Sequence, residues 1–107
     1  MKKNVLVVCD GNINRSPTVA KFLQERHSDW EVQHAGLYYG YPLMVTQELV
    51  DWSDVIYVME VAQLKRLHNK FKNIHHVIVL GIPDEYDAFS DELYQEIRRV
   101  FHDDRYE

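Results

Sequence analysis

The chain has little of what scaffolds, membrane proteins and polyanion binders are built from. Cys9 is its one cysteine in 107 residues. That excludes an intrachain disulfide, a structural zinc site made of cysteines, and a second thiol able to resolve the first. Proline and glycine are scarce, at three and four, and no interdomain linker or internal repeat breaks the sequence. No apolar run is long enough to span a membrane, and the apolar stretch at 5–8 is too short for the core of a signal peptide. There is no basic excess: 12 Lys and Arg stand against 17 Asp and Glu, a net charge of -5, so nothing favours general binding to a nucleic-acid backbone. These absences leave one domain, 1–107, with room for a two- or three-layer core but none for a separate cofactor domain. A reduced, cytoplasmic setting is the default expectation for a lone free thiol.

What is present centres on residues 5–17, VLVVCDGNINRSP. A short apolar strand runs into Cys9. A loop follows in which Gly11, Asn12 and Asn14 permit unusual dihedrals, and Ser16 and Pro17 read as the cap and first residue of a helix. A loop entering a helix N-terminus turns backbone amides inward and, with the helix dipole, makes a nest for an anion. A cysteine at the mouth of that nest is a thiolate near neutral pH. An arginine closing the ring, Arg15, offers a phosphate-like dianion two parallel hydrogen bonds. The reading is nucleophilic attack by Cys9 on phosphorus; the bland alternative is a buried cysteine at a strand end.

Downstream, strands and helices alternate. A helix is predicted over 17–27, with Val19, Ala20, Phe22 and Leu23 on its apolar side, then a strand over 30–35. The loop at 36–42 carries Leu37, Tyr38, Tyr39 and Tyr41, either as a hydrophobic plug or as the wall of a cleft. A short helix over 46–52 follows, with Thr46 as its cap and Trp52 in the core. The continuous apolar run at 54–59 reads as a strand of a parallel sheet. A helix over 60–71 has Leu64, Leu67 and Phe71 on one side, and its basic residues Lys65, Arg66 and Lys70, with Lys72, read as a solvated face. A strand over 77–80 comes after His75 and His76, which read as surface residues because adjacent side chains on a strand point to opposite faces. The acidic loop 82–87 leads to a final helix capped by Ser90, with apolar positions Phe89, Leu93, Ile97, Val100 and Phe101, and a polar tail with Asp103, Asp104 and Glu107. Four strands alternating with helices predict a parallel α/β sheet covered on both faces, with its ligand site at the carboxyl ends of the strands. Cys9, the Gly36 loop, Glu60 and Asp84 all follow strand ends and fall on that rim.

The string Cys9-Asp10-Gly11-Asn12-Ile13-Asn14-Arg15-Ser16-Pro17 resembles the signature of the low-molecular-weight protein tyrosine phosphatases. Weaker echoes follow. Ala35-Gly36 is similar to the family's Ser-Ala-Gly step, 54–60 to its Asp-Leu-Ile…Met-Asp strand with Glu60 for aspartate, and Asp84-Glu85-Tyr86 to its Asp-Pro-Tyr loop with Glu85 for proline. The chain is shorter than usual, mostly between Gly36 and Asp54, and so resembles a compact bacterial and phage subgroup whose acid loop reads Ile-Pro-Asp-x-Tyr. Asn14 stands where many relatives carry a second cysteine, so their protective disulfide cannot form here.

The resemblance implies a three-layer α/β/α sandwich with a four-stranded parallel sheet in the order 2-1-3-4 and the phosphate-binding loop, residues 10–16, after strand 1. It implies that Cys9 attacks phosphorus, that Arg15 and the loop amides hold the equatorial oxygens, and that Asp84 rather than Asp87 serves as acid and base. Ser16 is expected to donate toward the Cys9 thiolate, Asn12 to shape the loop and Asp10 to face solvent. Tyr86 and one of Tyr38, Tyr39 or Tyr41 are candidate walls for an aromatic substrate. No metal or other cofactor, nucleic acid or membrane is expected to take part. The substrate is a phosphotyrosine protein or a small aryl or alkyl phosphate. Alternatives are a small-molecule phosphomonoesterase for nucleotide or sugar phosphates, an arsenate reductase-like enzyme with an external thiol partner, and a non-catalytic phosphotyrosine-binding module.

Overall fold

The computed structural model describes residues 2–11, 14–38 and 43–102. Among these residues four strands alternate with four helices: β1 (Asn4–Cys9), α1 (Arg15–Arg26), β2 (Glu31–Gly36), α2 (Gln47–Trp52), β3 (Val55–Val58), α3 (Val61–Lys70), β4 (Val77–Val79) and α4 (Asp91–Val100). All strand pairs are parallel and the order is β2-β1-β3-β4, as the resemblance implied. β1 is central, with Val8 opposite Ala35 on one side and Val58 on the other. Cys9 therefore leaves the middle of the sheet at its carboxyl edge.

Alternation along β1 divides the core into two layers. Val5, Val7 and Cys9 face α1 and α4, packing with Val19, Leu23, Tyr57, Leu93, Ile97 and Phe101. Leu6 and Val8 face the other way, toward Val50 of α2 and Leu67 of α3. Both faces are apolar because both are covered, which is why β1 and β3 read as unbroken hydrophobic runs. Each such side chain withdrawn from water contributes about 1.5–3 kcal/mol. Phe101 ties the first layer together, stacking on Phe22 and meeting Tyr57 edge-on, each at a centroid distance of 5.6 Å.

Capping residues set two helix starts as expected: Thr46 accepts from Leu49 N at 3.1 Å, and Ser90 from Leu93 N at 3.2 Å. Two sequence expectations are corrected. Helix α1 starts at Arg15, not Pro17, with Asn14 as its N-cap. Pro17 is tolerated because the first-turn amides have no intrahelical acceptor to lose, and this frees the Ser16 hydroxyl from capping. Phe89 is not part of the α4 apolar stripe. It precedes the cap with φ of 59° and is 48% exposed, its ring 5.6 Å from Lys21 Nζ. Trp52 is partly buried against the second core layer, and His75 and His76 are exposed, as expected. The predicted polar tail with Asp103, Asp104 and Glu107 lies outside the described residues.

Candidate active site

At the carboxyl edge of β1 a cavity of about 210 Å³ is lined by Cys9, Asp10, Gly11, Asn14, Arg15, Tyr38 and Asp84. Residues from three segments, those after β1, β2 and β4, meet there because the ends of parallel strands share one edge. Cys9 is buried, and its Sγ lies 3.0 Å from Ser16 Oγ. A thiol donates to that oxygen; a thiolate accepts from it. The early start of α1 is what turns Ser16 toward the sulfur.

Arg15 is only 2% exposed, and its guanidinium is held on every side. Nη1 donates to the Ile82 carbonyl at 2.8 Å and lies 3.1 Å from Glu60 Oε2. Nη2 lies 3.4 Å from Asp10 Oδ2, and Nε 3.9 Å from Asp84 Oδ1. A buried guanidinium needs such partners, because leaving water without them is costly. The contacts divide by length. Nη1 has the two short contacts, a hydrogen bond to Ile82 and an ion pair with Glu60, whereas among the described residues the Nε–Nη2 edge has the two long ones. That edge carries two parallel N–H groups, the pair that grips a phosphate or carboxylate in bidentate fashion.

Supporting contacts fix the surroundings. The Asp10 carbonyl accepts from Leu37 N at 2.7 Å and from Tyr38 N at 2.9 Å, which clamps the loop after β1 to the segment after β2. Thr18 Oγ1 donates to the Asn14 carbonyl at 2.7 Å and accepts from Phe89 N at 3.0 Å, joining the start of α1 to the loop that bears Asp84. Gln63 Oε1 accepts from Met59 N at 2.7 Å and Glu60 N at 3.0 Å, shaping the turn that brings Glu60 to Arg15. Among the described residues no group of three or more His, Cys, Asp or Glu is arranged to hold a metal ion.

Cys9, Gly11, Asn14, Arg15, Ser16, Asp84 and Tyr38 come together as the sequence suggested. Asp84 lines the cavity and Asp87 does not. Asn12, Ile13, Tyr39 and Tyr41, named among the loop and wall candidates, lie outside the described residues. Two expectations fail. Asp10 does not face solvent: the adjacent guanidinium draws its carboxylate inward, and its side chain is 27% exposed. Tyr86 is not a wall of the cavity. Its ring packs against the core layer under α1 and α4, and its hydroxyl points to Glu96 Oε2 at 3.5 Å. Burial, then the Glu96 and Glu85 carboxylates, raises its phenol above the usual range.

Arg66 is on the solvated face of α3, as expected, and also reaches the site: its Nη1 is 3.8 Å from Asp10 Oδ1 and its guanidinium carbon 4.8 Å from the centre of the Tyr38 ring. A basic residue on an exposed helix position carries no mark of this in one sequence; it needs the register of α3 on the sheet.

No family model matches the chain. A curated relative, the low-molecular-weight protein-tyrosine-phosphatase Wzb of Escherichia coli K12, is 54% identical over 37 residues, which are 35% of this chain and 25% of that protein. Among solved structures, the tyrosine phosphatase Wzb from Escherichia coli K30, in complex with phosphate, superposes with a TM-score of 0.78 at 24% identity, covering 94% of each chain. Another solved protein tyrosine phosphatase reaches a TM-score of 0.75 at 28% identity, over 91% of this chain and 89% of its own. These solved tyrosine phosphatases share the fold of this chain, and the 37-residue match, a quarter of the length of Wzb, is to a low-molecular-weight protein-tyrosine-phosphatase.

Proposed function

We propose that the chain is a cysteine-dependent phosphatase that hydrolyses phosphotyrosine or related aryl phosphomonoesters through a cysteinyl-phosphate. The observation that carries this reading is the Nε–Nη2 edge of a buried Arg15, held only by long contacts to Asp10 and Asp84 among the described residues, on the same cavity as Cys9 and Asp84. In the first step the Cys9 thiolate forms the S–P bond as the P–O bond breaks. Arg15 and the amides at the positive end of α1 stabilise the equatorial oxygens, and Asp84 gives its proton to the departing oxygen. In the second step Asp84 takes a proton from water, water attacks phosphorus, and the S–P bond breaks. Ser16, 3.0 Å from the sulfur, then donates to the returning thiolate and favours its departure.

Asp84 suits the acid–base role because it is the carboxylate of the acidic loop on the cavity, and its 63% exposure gives water a route to it. The exposed ring of Tyr38 is the described wall against which an aryl group would lie. No step calls on a metal or cofactor. We read residues 1–107 as one domain working in the cytoplasm, where a reducing pool keeps the single thiol free. No helix among the described residues is long and apolar enough to cross a membrane.

The test is a rapid-quench burst assay on an aryl phosphate with the unaltered chain, Cys9→Ser and Asp84→Ala, repeated with phosphotyrosine peptides and a nucleotide monophosphate. A burst that Cys9→Ser abolishes, and steady turnover that Asp84→Ala slows by about 10²–10⁴-fold on poor leaving groups, is the expected result. Tight phosphotyrosine binding without turnover would instead make the chain a recognition module.

A further inference from the structure

We propose that Arg66 of α3 is a positioning residue of this site, which takes the Asp10 carboxylate off Arg15 when a phosphoryl group binds. The inference rests on the phosphatase reading and concerns two residues that reading leaves without a role. In the structure Asp10 spans two guanidinium groups, with Oδ2 3.4 Å from Arg15 Nη2 and Oδ1 3.8 Å from Arg66 Nη1. Neither distance is that of a tight ion pair. The Asp10 backbone is fixed by the bonds from Leu37 N and Tyr38 N to its carbonyl, so only its side chain is free to choose between partners.

The geometry makes that choice matter. With Nη1 donating to Ile82 and paired with Glu60 at short range, the edge left for a phosphoryl group is Nε and Nη2, the latter being the nitrogen that donates to Asp10 at 3.4 Å. A carboxylate left there competes for the same hydrogens and repels the incoming dianion. Rotation toward Arg66 relieves both effects and neutralises the displaced charge. The 4.8 Å stacking of Arg66 on Tyr38 keeps the receiving guanidinium at the cavity rim.

The experiment is calorimetric binding of inorganic phosphate, at fixed ionic strength, to the full chain and to R66A, R66K, D10N and the D10N/R66A double variant. Because Arg66 is half-exposed on a helix surface, alanine there keeps the fold. Loss of the receiver is expected to weaken phosphate binding about tenfold in R66A, with R66K recovering most of it. In the D10N background the same R66A change has an effect of less than about twofold, since no carboxylate remains to be received. Equal weakening in both backgrounds would mean that Arg66 attracts the anion directly, and would overturn the inference while leaving the phosphatase reading intact. Failure of the unaltered chain to bind phosphate at all would overturn both.

Discussion

In the proposed mechanism two loops supply the chemistry, and they are built in opposite ways. The described ends of the loop after β1 are tied down: Cys9 is 3% and Arg15 2% exposed, and the Asp10 carbonyl is bonded to the segment after β2. The loop after β4 is open, with Asp84 63% exposed and Phe89 at a φ of 59°. A nucleophile and an anion clamp need fixed geometry, because their contribution depends on donors already aimed at the developing charge. A general acid needs to reach a leaving group whose position varies with the substrate, and needs access to water for the second step. Rigidity on one side and openness on the other follow from the two tasks.

The sharpest way to break the comparison is Arg15→Ala. It removes the cation from among three carboxylates and should abolish phosphate binding while lowering stability by about 2 kcal/mol. That is below the full cost of an orphaned buried pair, because the carboxylates keep solvent. Calorimetry and urea denaturation read the two effects separately. Asp84→Asn tests the open loop: turnover should drop roughly 10²–10⁴-fold, yet the denaturation midpoint should stay within about 0.5 kcal/mol of the parent, as for most surface changes. Thr18→Val sharpens the point, since it keeps the volume but loses both bonds that join the loops. About 2 kcal/mol of stability should go, with faster amide exchange at Phe89.

Gly81→Ala probes the same open segment at its root. Nothing lies within 4 Å of where the methyl would sit, but the φ of 74° is hostile to any L side chain, so a loss of about 1 kcal/mol is expected from backbone conformation alone. Smallest is a pH effect remote from both loops. Burial on β2 lowers the His34 pKa from 6.5, so the unfolded chain binds the proton more readily than the folded one. Stability should therefore fall as pH drops through 6.5 toward the lowered folded pKa, and His34→Gln should flatten that part of the denaturation profile.

The tied-down loop was also the legible one. Cys9, Gly11, Arg15 and Ser16 sit within eight residues, and their types alone state the chemistry of an anion nest at a helix start. The alternation of apolar strands with amphipathic helices was enough for a parallel sheet, since nothing else covers both faces of such runs. What escaped was what depends on distant elements. The inward turn of Asp10 needs Arg15 and Arg66 together, and the approach of Arg66 needs α3 seated against the sheet. Tyr86 was misjudged because an aromatic beside an acidic residue looks the same in sequence whether it lines a cleft or packs on a helix. The start of α1 slipped by two residues because Ser-Pro is a strong cap signal, and only the pull of the thiol on Ser16 argues otherwise.

The central position of β1 carries a consequence for how the chain comes into being. β1 emerges early during synthesis, but a parallel neighbour cannot be reached by a tight turn, so β1 waits for a crossover before each partner arrives. β3 begins at Val55, and the carbonyl that grips Arg15 belongs to Ile82, 67 residues further along the chain. Until the ribosome has delivered that stretch, Arg15 lacks the carbonyl that holds it and the cavity lacks Asp84. High contact order of this kind slows folding, but it also makes the site an all-or-none possession. A nascent or truncated chain that lacks the last quarter would hold the signature residues without the Ile82 carbonyl and Asp84, and under the proposed mechanism would be inert toward phosphorus until the sheet is complete.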